Sequence, residues 1–297
     1  MINADRLPGI QEQTVLVQGK RIHVLERGHG NQVLFFIHGN SETAFNWEEI
    51  WSGIPASYHL IAYDLPGHGE SERDWTARHV LPYQSKVAIS VLNELGIRHA
   101  IWIGHSQGGG VSLSAAIYHP EYVDGLVLVA SVAFPFVEKG TRRRGVTRLV
   151  PRRPRWWFEK FIQSRKGRQI VEQTMKLAIQ NTMYPATYDL THPVWRRDAA
   201  IWSRPTHIVA ANDDLLLLSD SLGELAPHYS KIRVPVEIIS GKQDLLIPLK
   251  TGEQLAATLP SAHLTAIEGA GHFLIRSHAD EVRRHIMEFV PTCLGRK

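Results

Sequence analysis

The sequence predicts an α/β protein in which a mostly parallel, doubly wound sheet carries an inserted helical cap. The strand-like runs are apolar throughout, which is typical of strands that helices bury on both faces. These runs alternate with helical patterns up to about residue 133, and the alternation resumes near residue 229. Between these points the composition turns basic and the alternation is lost. At 297 residues, the chain is long enough for one large core.

The first block of the chain begins with a predicted hairpin and continues with alternating elements. The hairpin pairs Thr14–Val17 with Arg21–Glu26 across the turn Gln18-Gly19-Lys20. Four buried strands are then predicted at Val33–Ile37, His59–Tyr63, Ala100–Ile103 and Gly125–Val129. Helical patterns lie between or after them, near Glu42–Trp51, Pro82–Leu95 and Gln107–His119.

The last block completes the predicted sheet. Strands are expected at Val234–Gly241 and His263–Ile267, with a helix near Lys250–Thr258 between them and a final helix near His278–Phe289. We therefore expect residues 1–133 and 229–297 to form one core domain.

Residues 134–228 form the predicted cap, a mostly helical and basic insertion. From 134 to 230 there are 16 Lys and Arg against 9 Asp and Glu, whereas the remainder has 17 against 20. Helices with about 3.6-residue apolar spacing are predicted near Trp156–Ser164 and Arg168–Gln180. The tryptophans of this segment either line an apolar pocket or pack in the core, and these are Trp156, Trp157, Trp195 and Trp202.

A serine lies between a predicted strand and a predicted helix, in the pentapeptide Gly104-His105-Ser106-Gln107-Gly108. This G-x-S-x-G pattern is typical of a nucleophile at a sharp strand-to-helix turn. The glycines leave room for the close approach of helix and strand. The N-terminus of the following helix offers unpaired N–H groups where negative charge develops. We therefore predict that Ser106 is a nucleophile.

A serine hydroxyl needs a base and a group that orients that base. Asp244 follows the predicted strand at Val234–Gly241, and His272 ends the loop Gly269-Ala270-Gly271-His272. We predict that His272 is the general base and then acid, and that Asp244 fixes its tautomer.

Two other acidic residues compete with Asp244 for this role. Asp213 and Asp214 precede a run of four leucines and are interpreted as helix N-caps. The strand at Gly125–Val129 runs on into Ala130-Ser131-Val132-Ala133, which holds no carboxylate. Both observations favour Asp244.

With these motifs the chain resembles the cap-bearing group of the α/β-hydrolase superfamily, over about 1–133 and 230–292. Phe35-Phe36-Ile37-His38-Gly39-Asn40 is similar to the family's His-Gly motif. The resemblance implies that the backbone N–H groups of Asn40 and Gln107 form an oxyanion hole. Residues 64–71, Asp-Leu-Pro-Gly-His-Gly-Glu-Ser, resemble the family's D-x-P-G-x-G-x-S turn, which we interpret as architectural.

The expected activity is hydrolysis of a small apolar carboxylic ester through an acyl-enzyme. Lactone hydrolysis and C–C bond hydrolysis use the same triad and remain alternatives. C–C hydrolases usually carry Gly-Asn-Ser-Met-Gly and a tryptophan after the catalytic histidine, whereas this chain has Gln107 and Phe273. Peroxidase-like and hydroxynitrile-lyase members share the triad and also stay open, as does a small-ligand receptor with this fold.

Composition limits the other classes of function. No cofactor motif and no metal-ligand spacing is recognised, so no cofactor is expected. A single cysteine, Cys293, and a start without a long apolar run are expected of a cytoplasmic protein.

Arginines are concentrated at residues 142–155, directly before Trp156, Trp157 and Phe158. A solvated basic loop is the first interpretation of this stretch. Weak contact with an anionic membrane surface is the alternative hypothesis. Nucleic-acid binding is not expected, because no recognisable binding module accompanies the arginines.

Overall fold

The computed structural model describes residues 7–135, 155–170, 173, 184–185 and 200–293. Eight strands form one sheet in the order β1-β2-β4-β3-β5-β6-β7-β8. The strands are β1 Gln11–Val17, β2 Lys20–Arg27, β3 Gln32–Ile37, β4 Tyr58–Tyr63, β5 Ala100–His105, β6 Val123–Val129, β7 Val236–Gly241 and β8 Ala262–Ile267. The pairs β1–β2 and β2–β4 are antiparallel, and the other five pairs are parallel. The predicted doubly wound α/β fold is confirmed.

Helices cover both faces of this sheet. They are α1 Glu48–Trp51, α2 Leu81–Glu94, α3 Gln107–Tyr118, α4 Arg155–Gln163, α5 Pro205–Leu225, α6 Leu249–Thr258, α7 Leu274–Ser277 and α8 Ala279–Phe289. Alternate residues of the central strands enter two apolar layers, one on each side. Phe35 and Trp102 lie in one layer with α2 and α3, while Phe36 and Ile103 lie in the other with α8. The central strands β3, β5 and β6 are mostly apolar because both of their faces are buried.

Most predicted elements lie within two residues of the observed ones, and the exceptions have local causes. The segment predicted as one helix at Glu42–Trp51 is a 3₁₀ turn, Ala44–Trp47, followed by the short α1. The polar side chain of Asn46 accepts the N–H of Thr43 at 3.1 Å, which favours the tight turn. The hairpin turn places Gln18 and Gly19 at φ of 52° and 74°, as a two-residue turn requires.

Asp64 organises the turn that follows β4. Its carboxylate is buried and accepts the N–H groups of Ala44 at 2.7 Å and Glu70 at 2.9 Å. The hydroxyl of Ser71 donates to the Asp64 carbonyl at 2.7 Å. Gly67 has a φ of 84°, and a Cβ there would lie 2.7 Å from the Cβ of Ala210 on α5. These contacts agree with an architectural role for the turn, and α5 packs against it.

Most described residues of the predicted cap are helical. The predicted helix at Trp156–Ser164 corresponds to α4, residues 165–170 are also helical, and most of the predicted Arg168–Gln180 helix lies outside the described residues. Trp202 is buried in the α8-side apolar layer, whereas Trp156 is exposed. The side chain of Trp157, the whole of Trp195 and the arginines at 142–154 lie outside the described residues.

Candidate active site

Ser106 lies at the sharp turn between β5 and α3. Its backbone has φ 51° and ψ −115°, a conformation that a side chain rarely adopts and that neighbouring packing must hold. A Cβ on Gly104 would lie 2.4 Å from the carbonyl oxygen of Gly108, and a Cβ on Gly108 would lie 2.1 Å from that of Ile37. The two glycines therefore permit the turn that presents the serine at the carboxyl edge of the sheet.

The structure brings the three predicted triad side chains into one hydrogen-bonded line. His272 Nε2 lies 3.0 Å from Ser106 Oγ, and His272 Nδ1 lies 2.8 Å from Asp244 Oδ2. The other oxygen of Asp244 accepts the N–H groups of Leu246 and Ile247, each at 2.8 Å. Because those two bonds fix the carboxylate, Nδ1 of His272 carries the proton and Nε2 is free to accept one from the serine.

The loops that carry the acid and the base are bonded to each other. The N–H of Gln243 donates to the carbonyl of Ala270 at 2.9 Å, and the N–H of Lys242 donates to that of Ile267 at 3.0 Å. A Cβ on Gly241 would lie 2.4 Å from the Ala270 carbonyl oxygen. The ends of β7 and β8 thus hold the two loops in close contact, which sets the Asp–His distance.

The two predicted oxyanion residues lie side by side. Asn40 follows β3, and Gln107 is the first residue of α3, whose first N–H groups have no acceptor within the helix. The Asn40 amide donates to Gln107 Oε1 at 3.0 Å. A Cβ on Gly39 would lie 3.0 Å from the Ser106 Cβ, so the loop after β3 abuts the serine. The arrangement suits two N–H donors aimed at one oxygen next to Ser106.

A buried Glu42–His105 pair, which was not predicted from the sequence, lies behind the triad. His105 Nδ1 lies 2.7 Å from Glu42 Oε1, and His105 Nε2 lies 2.9 Å from the carbonyl oxygen of His272. Burial opposes the charged form of His105, but the Glu42 carboxylate outweighs burial and raises the pKa of His105. Glu42 also accepts the Gly39 N–H at 3.0 Å, so the pair joins the loop after β3 to the His272 loop. The available signal was His105 itself, inside the serine pentapeptide.

Asp214 is not a helix N-cap, and that prediction was wrong. The helix α5 begins nine residues earlier, at Pro205, whose fixed φ suits a first helical turn. Asp214 therefore lies in the middle of the helix, where it is buried and forms an ion pair with Arg73 at 2.7 Å. Burial raises the pKa of Asp214 to about 6 against the opposing effect of Arg73. Asp213, its neighbour, also lies inside the helix rather than at its start.

Three buried histidines line the contact between α5 and the core. The rings of His38 and His68 are 5.5 Å apart, and those of His68 and His207 are 4.9 Å apart. His38 Nε2 accepts the N–H of Leu65 at 2.9 Å, and His207 Nδ1 accepts that of Gly69 at 3.2 Å. Burial lowers the pKa of all three rings, that of His207 to about 4. All three rings are therefore neutral at neutral pH, and His38 and His207 act as hydrogen-bond acceptors.

The described residues hold neither a membrane-spanning helix nor a metal-binding cluster. In that part of the chain no helix is long and apolar enough to cross a membrane. Within the same residues, no cluster of three or more His, Cys, Asp or Glu side chains is arranged to hold a metal ion. The cytoplasmic location stays a prediction.

Several known proteins with similar sequences or structures are named as hydrolases. A family model described as alpha/beta hydrolase fold matches residues 32–279. The 2-hydroxy-6-oxononadienedioate/2-hydroxy-6-oxononatrienedioate hydrolase of Burkholderia vietnamiensis is 26% identical over 274 residues, which cover 91% of each chain. The enol-lactonase of Burkholderia xenovorans has a similar structure, with a TM-score of 0.75 and 18% identity over 94% of this chain and all of that one. An esterase of Exiguobacterium antarcticum gives a TM-score of 0.75 and 18% identity over 95% and 100%.

Proposed function

Because the chain belongs to the α/β-hydrolase family, we propose that it is a serine hydrolase that cleaves carboxylic esters through Ser106, His272 and Asp244. The observation that carries this proposal is the line of hydrogen bonds from Asp244 through His272 to Ser106, at 2.8 and 3.0 Å. A serine within reach of a base, with that base oriented by a buried carboxylate, is the arrangement that nucleophilic catalysis requires.

The first half of the proposed reaction forms an acyl-enzyme. His272 Nε2 accepts the proton of the Ser106 hydroxyl as Oγ attacks the carbonyl carbon of the ester. The carbonyl oxygen becomes an oxyanion, which accepts hydrogen bonds from the backbone N–H groups of Asn40 and Gln107. Loss of one such donor typically lowers kcat by about 10²–10³-fold. His272 then gives its proton to the departing alkoxide, and the alcohol leaves.

The second half releases the acid. A water molecule takes the place of the alcohol and gives a proton to His272 as it attacks the acyl carbon. The same two N–H donors stabilise the second oxyanion, and its collapse returns the proton to Ser106 Oγ. Asp244 stays ionised throughout and stabilises the imidazolium that forms in each half.

The expected substrate is a small apolar ester, and a lactone is hydrolysed by the same steps within one molecule. The segment 134–228 is proposed to form the lid over this site, and the contacts of α5 with the loops after β3 and β4 support that placement. Contact of residues 142–155 with an anionic membrane surface stays a prediction from charge alone.

C–C bond hydrolysis is the second candidate function. It is favoured by the 26% identical relative, which is named as a hydrolase of 2-hydroxy-6-oxononadienedioate and covers nearly the whole chain. Gln107 and Phe273 stand where such enzymes usually carry methionine and tryptophan. These two positions are the reason that we place ester hydrolysis first.

The test is a comparison of initial rates between the wild type and Ser106→Ala on three substrate classes. These are p-nitrophenyl esters from acetate to palmitate, a series of lactones, and a 2-hydroxy-6-oxo-dienedioate. Saturable ester turnover that disappears in the variant supports the proposal. Saturable turnover of the dienedioate alone supports the second candidate instead. A folded wild type that binds these compounds without turnover would be a receptor and would overturn both.

A further inference from the structure

Gln107 has a side chain whose hydrogen-bonding groups are all engaged. Its Oε1 accepts the amide of Asn40 at 3.0 Å. Its Nε2 donates to Gln84 Oε1 at 3.0 Å and to Asp214 Oδ2 at 3.1 Å. An amide nitrogen has two protons to donate, so both are used. The Gln107 side chain is thus held by three partners, and its backbone N–H is one of the two proposed oxyanion donors.

Each partner of Gln107 is itself fixed. The Gln84 amide donates to the carbonyl of His79 at 2.8 Å, which sets its oxygen toward Gln107. Asp214 is ion-paired with Arg73, and Arg73 donates to the carbonyl of Pro66 at 3.0 Å. Buried polar groups in such a network hold one arrangement because any break leaves a group unsatisfied.

The helix α5 reaches both proposed oxyanion residues. Its Asp214 side chain accepts from Gln107, and its Ala211 carbonyl accepts the Asn40 amide at 2.9 Å. These positions are three residues apart, so they lie on the same face of the helix. Ser106 has strained backbone angles, and nearby contacts must hold them.

We infer that Asp214 is a positioning residue, which acts through the Gln107 side chain to hold the Gln107 and Asn40 backbone N–H groups at the oxyanion. This rests on the proposed function. Asp214 does not touch the reacting atoms. The buried Arg73 keeps the Asp214 carboxylate aimed at Gln107. The proposed lid segment thereby supplies part of the geometry of the catalytic centre.

The test uses the purified full-length protein and two readouts, hydrolysis of p-nitrophenyl butyrate and the rate of labelling by a fluorophosphonate. The variants are Asp214→Asn, Gln107→Met and the double variant. Gln107→Met removes the side-chain amide but keeps the backbone N–H, and it leaves Asp214 paired with Arg73. Glu237→Gln is the matched control, because Glu237 is a buried carboxylate that bonds His263 and Thr265 near the opposite edge of the sheet.

Misplacing a catalytic group by about 1 Å costs about a hundredfold in rate. We therefore expect Asp214→Asn to lower kcat and the labelling rate about ten- to a hundredfold, with KM changed less than about threefold. Gln107→Met gives a similar loss. The double variant is no slower than Gln107→Met, because both changes act on the same donor. Glu237→Gln keeps the wild-type kcat.

Wild-type kcat in Asp214→Asn overturns the inference while leaving the proposed function intact, and so do losses that multiply in the double variant. If Asp214→Asn does not fold, Gln107→Met decides alone: an unchanged rate overturns the inference and a tenfold loss supports it. Hydrolysis that survives Ser106→Ala, or a wild type that neither turns over the ester nor labels, overturns the proposed function and the inference with it.

Discussion

The two sides of Ser106 are built from different parts of the chain. On the base side, defined as His272 and Asp244, both residues follow strands of the core sheet, and the carboxylate is fixed by backbone N–H groups. On the elbow side, defined as Gln107 and Asp214, the carboxylate comes from the helix α5 and is fixed by Arg73. Both sides place a buried carboxylate behind a polar side chain that adjoins the serine.

The difference lies in what each carboxylate acts on. On the base side, it bonds the group that moves protons. On the elbow side, it bonds a side chain whose backbone N–H is the proposed oxyanion donor. Loss of a base-side group should stop the chemistry, whereas loss of an elbow-side group should only weaken stabilisation of the transition state. The same exchange of Asp for Asn on the two sides should therefore give unequal effects.

Removal of the nucleophile gives the largest expected effect. Ser106→Ala should lower kcat about 10⁵–10⁶-fold, because the acyl-enzyme cannot form and only the oxyanion donors and binding remain. Steady-state hydrolysis of p-nitrophenyl butyrate measures the loss. The melting temperature of the variant should not fall, because the hydroxyl that is removed bonds His272 and makes no contact that the core requires. A residual rate within tenfold of the wild type contradicts the assignment of Ser106.

The base-side exchange comes next. Asp244→Asn should lower kcat about 10⁴-fold, since an amide facing Nδ1 of His272 favours the wrong tautomer. Comparison with Asp214→Asn, expected to lose only about ten- to a hundredfold, tests the contrast directly. Equal losses of kcat in the two variants would contradict the contrast between the two sides.

Asp214, on the elbow side, should also make the stability of the protein depend on pH. The raised pKa of Asp214, about 6, means that the native state binds its proton more tightly than the unfolded state does. Its contribution to stability is therefore full near pH 4 and is lost as the pH rises to about 6. Relative to Asp214→Asn, the wild type should lose on the order of 2–3 kcal/mol over that range. Urea unfolding of both proteins at pH 4 and pH 7.5 measures this loss. If the free energies of unfolding of the two proteins change in parallel between these pH values, Asp214 does not contribute to stability in this way.

A change in the turn that packs against α5 gives the smallest expected effect. Gly67→Ala adds a Cβ that would lie 2.7 Å from Ala210 on α5, at a residue with φ of 84°. We expect a loss of about 1–3 kcal/mol in stability and a fall in kcat smaller than that of Asp214→Asn. Gly96→Ala is the control, because Gly96 has a φ of 71° but no atom within 4 Å of the added Cβ. Thermal unfolding and kcat measured side by side separate crowding from backbone strain.

The base side could be predicted from the sequence, whereas on the elbow side Gln107 could be predicted and Asp214 could not. Ser106, Asp244 and His272 follow apolar strands, so local pattern alone places them at one edge of the sheet. Asp214 lies inside a helix, and an acidic pair before a leucine run is also what a helix start looks like. Its partner Arg73 is far away in sequence, and only the folded chain shows the pairing. Pro205 was the local signal for the true helix start.

Trapping the acyl-enzyme shows directly whether Ser106 is the nucleophile. The wild type is mixed with excess p-nitrophenyl acetate, quenched with acid within the first turnovers, digested and examined by mass spectrometry. We expect an acetyl group on the peptide that carries Ser106, absent from Ser106→Ala and formed much more slowly in Asp244→Asn. Turnover of the ester with no adduct on Ser106, or an adduct on another residue that follows the catalytic rate, would contradict it.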